Sequence, residues 1–308
     1  MLVAHVIWNC WEDFIAAQEK EEYPVESIQL SALRKLFSDP TVPISQVALE
    51  LATPILKELE KNPGKTVDCF RLWRTIEAAI KQLTDYNDKL VELVIEFQKV
   101  PDQAGIIGCM QDFREHWTEF AFDYLDLPSW EPAEERAANR QGWINMNAFG
   151  AKLSLCGAPE LDERPRAALL MRQALEKTPW EVFHHPDLDE EEDLEDDDYP
   201  TWRAHQFELR DVRTLNSSVP AAAMWMKINA SGIYEMNGRP MTGDYDCHRA
   251  DSNWKGEPVW SKERFAFWRE RFEWISNVSV LDKETKKAAK EAAEAMKKVE
   301  DENQRTPS

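Results

Sequence analysis

The chain has 308 residues, 43% of them hydrophobic, with 13 Trp and a formal net charge of −20. That length buries a core without help from disulfides or metal, and the charge works against nucleic acid, whose binders present basic grooves, and against anionic membrane surfaces. Five scattered cysteines (Cys10, Cys69, Cys109, Cys156 and Cys247) with no C-x-x-C pair point to a reduced compartment.

In chain order, the first apolar stretch is residues 4–20, with Ile7, Trp8, Trp11, Phe14 and Ile15 at helical spacing. Glu12 and Asp13 interrupt it and no basic leader precedes it, so it does not read as a secretory signal. Short helices are predicted over 27–37 and 45–59, the latter with Pro54 as a kink site. Thr66 is expected to cap a helix reaching about Leu83, with Phe70, Trp73, Ile76 and Ile80 on one face. Further helices are predicted over 86–100, over 113–124 and over 132–155. The second half of the last is apolar nearly all round, which marks a central rod, and Cys156-Gly157 reads as its stop. A helix over 161–175 follows.

Composition then changes. Ten of the twelve residues from Asp187 to Asp198 are acidic, and 184–200 reads as a solvated, disordered insertion. Helices resume at Ser218, with Pro220 in the first turn and Gly232 as the end. Residues 233–259 read as irregular. Ser261 caps a strong helix with Trp260 and Phe265 as a staple, and Asp282 opens a last helix. The expected fold is all-α: a multi-helix bundle of about ten helices around a Trp-rich core. It is expected to be a single domain over 1–300 with a frayed tail at 301–308. No run approaches the ~18 apolar residues of a membrane span, so the expected location is the cytoplasm, with the nucleus also open.

Several clusters invite chemistry. Asp193, Asp196, Asp197 and Asp198 superficially fit the metal-binding aspartates of helical terpene cyclases, but Pro200 follows at once and no apolar helix holds them rigid. Asp112, His116, Glu119 and Asp123 share one helix face and read as its wet side. Asp244, Asp246, Cys247 and His248 are too crowded in sequence to close a zinc tetrahedron easily, and His184-His185 makes no site. No metal site and no cofactor is therefore expected. Dinucleotide, P-loop, zincin and nucleophile-elbow motifs are absent from the sequence. Asn147 shares a helix face with Trp143, Gly150 and Ser154, whereas Asn145 lies on another with Gln141 and Lys152. Buried amides need partners, and Trp143, Asn147 and Trp225 are the candidate lining of a ligand pocket. Arg264, Arg269 and Arg271 could together grip a carboxylate or phosphate, but the first expectation is pairing with Glu263, Glu270 and Glu273 along their own helix.

Three stretches carry a resemblance. Trp143-Ile-Asn-Met-Asn-Ala-Phe149 is similar to a W-x-N-x-N-A-F signature, and Ala221-Ala-Ala-Met-Trp225 with Gly232-Ile-Tyr234 to a second segment. Trp254-Lys-Gly256 followed by Ser261-Lys-Glu-Arg-Phe-Ala-Phe-Trp268 is similar to a W-K-G…S-x-E-R-W-x-F-W ending, with Phe265 in place of the usual Trp. The sequence resembles a fungal family of all-helical intracellular proteins of unknown function over roughly Thr66 to Val299. The resemblance implies a fungal source and no catalytic residue. Because members often lie beside secondary-metabolite genes, it also implies a tailoring enzyme needing no cofactor, or an accessory protein binding a small-molecule metabolite. The other reading is a helical interaction module whose run Asp187–Asp198 meets a basic protein partner.

Overall fold

The computed structural model describes residues 10–62, 67, 69–101, 107–108, 110–122, 133–176, 212–241 and 252–305. The run Asp187–Asp198, His184-His185, the Asp244–His248 cluster, Thr66, Trp8 and Asp123 lie outside them. The fold is all-α: among the described residues there are eleven α-helices and no strand. The chain divides into two compact units, which we call the first and the second; the described residues up to 161 belong to the first and those from 162 to the second. Among the described residues, no helix is long and apolar enough to cross a membrane.

The first unit holds α1 (Trp11–Gln18), α2 (Ser27–Ser38), α3 (Ile44–Lys61), α4 (Phe70–Gln82), α5 (Asn87–Phe97), α6 (Gln111–Phe122) and α7 (Ala133–Leu153). A capping box starts α2, in which the Glu26 N–H donates to Gln29 Oε1 at 3.0 Å. The Gln29 amide then donates to Leu51 O at 2.8 Å and ties α2 to α3. α7 packs on α4 and α5, and from Gly142 to Ser154 only Ile144 and Lys152 are not buried, as a central rod requires. It tightens into a 3-10 turn over Ser154–Cys156, and Gly157 ends it at φ 76°, the left-handed position that favours glycine.

The second unit holds α8 (Arg164–Met171), α9 (Leu215–Tyr234), α10 (Lys262–Ile275) and α11 (Lys283–Arg305). Its main contact sets α9 on α11. Ala221, Ala222 and Ala223 of α9 and Ala289, Ala292 and Ala293 of α11 are all buried; small side chains let two helix backbones approach closely. α10 also lies on α11, burying Phe265, Trp268, Phe272 and Ile275.

Four local expectations change. The helix expected over 161–175 is broken: Pro159–Leu161 is a 3-10 turn, α8 begins at Arg164, and Arg172–Glu176 is a π-helical turn. Asp162 accounts for the gap, because its Oδ1 accepts from the Arg164 backbone N–H at 3.1 Å and offers the chain a local alternative to the helix ladder. α9 begins at Leu215, so Pro220 is interior rather than in the first turn. Gly232 does not end α9, which runs on to Tyr234 after a break at Asn229 (φ −135°, ψ 35°). A Cβ at position 232 would come within 2.2 Å of Asn229 Oδ1, so glycine is there to make room for the kink. Finally, α11 continues to Arg305, past the point where a frayed tail was expected.

Candidate functional site

In the first unit the signature rod uses its two asparagines differently. Asn145 is 2% exposed and its amide is the hub of a cross-helix network. Its Nδ2 donates to Lys81 O at 2.8 Å, in the last turn of α4, where helix geometry leaves carbonyls over for partners from outside. The Thr84 hydroxyl lies 3.1 Å from its Oδ1, and Gln141 Nε2 donates to the same oxygen at 2.8 Å. The Asn87 amide at the start of α5 donates to the Asn145 backbone carbonyl at 2.9 Å. One side chain thus fastens the α4–α5 corner to α7. Gly142, one turn earlier, faces the stem of buried Lys81, and a Cβ there would meet Lys81 Cγ at 2.8 Å.

Asn147 Nδ2 donates to Trp143 O at 2.9 Å, within its own helix. Trp143 and Asn147 are thus joined on buried turns of α7 in the first unit, whereas Trp225 is fully buried on α9 in the second. Beside α7, the first unit holds a chain of rings. Trp73 stands edge-on to Phe97 at 5.1 Å and to Phe113 at 5.3 Å. Phe113 stacks with Trp117 at 5.8 Å, and Trp117 lies 5.1 Å from Phe149. The indole Nε1 of Trp73 is buried with no hydrogen-bond acceptor, a state that costs about 1–3 kcal/mol.

The second unit has a polar centre that the sequence did not announce. Glu176, 1% exposed, closes the π-helical turn. Its Oε1 accepts from Arg264 Nε at 2.7 Å and from Trp268 Nε1 at 2.8 Å. Its Oε2 accepts from Arg264 Nη2 and from Ser252 Oγ, both at 2.8 Å. The pairing with arginine is bidentate, the strong form of this contact. The Arg264 guanidinium also lies 5.7 Å from the Trp254 ring and 5.6 Å from the Trp268 ring, within cation–π range. Ser261 caps α10, its Oγ accepting from the Arg264 N–H at 3.0 Å. Gly256 is explained by its neighbour: a Cβ there would lie 2.3 Å from Trp254 Cζ2.

The expected pairing of Arg264 along its own helix is therefore corrected. Its partner is Glu176, distant in sequence, because a buried guanidinium is costly without a counter-charge and Glu176 supplies one. Arg269 does pair with Glu273 at 2.7 Å and also with Glu300 of α11 at 2.7 Å. Burial pulls the Arg269 pKa down, but these carboxylates outweigh it and the net displacement is upward. Arg271 donates to Leu175 O at 3.0 Å and stacks 4.3 Å from the Trp274 ring. Trp260 meets Trp268 edge-on and Phe265 meets Tyr234 likewise.

Of the carboxylate–histidine face on α6, Asp112 and His116 are half-buried, and the His116 ring packs 4.8 Å from Phe70. The Glu119 side chain and Asp123 lie outside the described residues. Among the described residues no group of three or more His, Cys, Asp or Glu is placed to hold a metal ion.

Neither the curated proteins nor the solved structures contain a match to the chain. A family model, described as a protein of unknown function (DUF3632), matches residues 73–272. That span includes the Asn145 hub and the Glu176–Arg264 centre, and by it the chain belongs to the DUF3632 family.

Proposed function

We propose that the protein is a small-molecule-binding accessory protein of secondary metabolite biosynthesis, one that holds a metabolite without converting it. The metabolic setting comes from the resemblance to the fungal family. That it leaves the metabolite unconverted is supported by one observation: buried polar groups of the signature segments, and the Glu176 carboxylate that meets one of them, are spent on internal bonds. Both oxygens of Glu176 accept two hydrogen bonds each. The Asn145 amide is engaged at both ends. A carboxylate so occupied has no lone pair conveniently free to take a proton from a substrate. What the first unit offers a ligand is ring surface on α4 to α7, with Trp143 and Asn147 on the same rod; Trp225 lies on α9 of the second unit.

The test is to purify the protein from its host, denature it and identify the released small molecule by mass spectrometry. Returned to fresh folded protein, that molecule should be recovered unchanged. A product of different mass would instead make the protein a tailoring enzyme.

A second reading rests on the sequence run Asp187–Asp198, whose ten carboxylates would suit a basic protein partner by charge complementarity. Deletion of that run should abolish capture of the partner at low salt. Capture that survives the deletion removes the run from the interface.

A further inference from the structure

The group that recognises the ligand is the next question, and its answer rests on the binding reading above. Trp73 is fully buried on α4, and its Nε1–H is a donor without an acceptor. Buried indole N–H groups ordinarily find one. The rings around it are Phe97 of α5 and Phe113 of α6, continued by Trp117 and by Phe149 of α7. Leu93 and Val94, one turn before Phe97, and Ile76, one turn after Trp73, are buried and apolar. Small-molecule sites have this make-up: aromatic and aliphatic walls with a few placed polar atoms that set orientation.

We propose that Trp73 is the polar recognition group of an aromatic binding site in the first unit, its Nε1–H donating to a carbonyl oxygen of an uncharged, flat aromatic molecule. Ring walls favour flat faces, through edge-on and offset contacts. An ionised ligand is disfavoured, because a charge among such walls loses its hydration without repayment. The Trp73 N–H asks for one acceptor, and a ketone oxygen supplies it.

Three probes of similar size separate these elements: 2-acetylnaphthalene, 2-ethylnaphthalene and 2-naphthoate. Affinities are read by isothermal titration on the full chain, and the Trp73 indole N–H is followed by ¹⁵N NMR, assigned in the unaltered chain by triple-resonance and NOE spectra and checked with Trp73→Phe. The ketone should bind about tenfold more tightly than the hydrocarbon, a margin of ~1.4 kcal/mol, and the carboxylate most weakly. The Trp73 N–H resonance should move with the ketone and stay still with the hydrocarbon. In Trp73→Phe the tenfold preference should vanish. If that variant does not fold, the resonance in the unaltered chain decides.

Equal affinity for ketone and hydrocarbon, with an unmoved Trp73 resonance, overturns the donor assignment and leaves the binding reading standing. So does a high-field, ligand-insensitive resonance, which would place the N–H against a ring face. If no probe binds and no small molecule accompanies the protein from its host, both readings fall.

Discussion

At the scale of single residues, the two buried hubs differ in what a substitution costs. Asn145→Ala takes the Nδ2 donor away from buried Lys81 O, so unfolding in urea should show a loss of about 1–3 kcal/mol. Glu176→Gln leaves the Arg264 guanidinium buried without its counter-charge, and a loss of about 3–5 kcal/mol is expected. The sequence marked both asparagines but favoured Asn147 as the ligand contact. Periodicity shows that α7 is buried all round; it does not show which face meets the carbonyl-rich end of another helix. Glu176 was illegible for a different reason. Its partners Ser252, Arg264 and Trp268 are 76 to 92 residues away, and a lone Glu closing an apolar run carries no local signature. Asp162 supplies a pH dependence. Burial raises its pKa, but hydrogen bonds and charge from Arg164 outweigh this and hold it below the ordinary carboxylate value. A depressed folded pKa contributes stability above the unfolded value of about 3.9 that is lost as pH falls through the folded one. Asp162→Asn should therefore lower stability at neutral pH and flatten its decline below about pH 4, as thermal melts across pH would show.

At the scale of elements, the sequence rules located helices well and their interruptions poorly. Ser261 as a cap and Gly157 as a stop are local chemistry, visible in two or three residues, and both stand. The break before α8 depends on Asp162 bonding to Arg164, and the kink in α9 on where the Asn229 side chain goes. Neither follows from the spacing of apolar residues. Glycine usually closes helices, so Gly232 reads as an end; here it is a space for Asn229. Helix propensity alone would favour alanine at that position by up to about 1 kcal/mol. The close approach that an alanine Cβ would make to the buried Asn229 side chain outweighs that gain, since overpacking costs about 1–3 kcal/mol. Gly232→Ala should destabilise the protein, and Asn229→Ala combined with it should recover part of the loss; equal or greater stability of the single variant in a urea titration would contradict the packing account.

At the scale of the whole molecule, the all-α class was legible because periodicity near 3.6 recurs along the chain while strand alternation and tight hairpin turns are scarce. The large number of tryptophans was legible as core, and Trp73, Trp117, Trp225 and Trp268 are among the largest fully buried side chains. Their division between two units was not, since an apolar face does not name its partner. The three signature segments fall within the family span, and the structure gives their polar groups internal partners. The claim that these groups hold the fold, rather than react, is tested most directly by Glu176→Gln combined with Arg264→Met. The pair removes both buried charges together, while Gln keeps an acceptor for Trp268 and gains a donor for Ser252. Metabolite profiles of a strain lacking the gene, complemented with this variant once circular dichroism shows it folded, give the answer. A profile restored to that of the unaltered gene is the predicted result, and a folded variant that leaves the deletion profile in place would contradict the account.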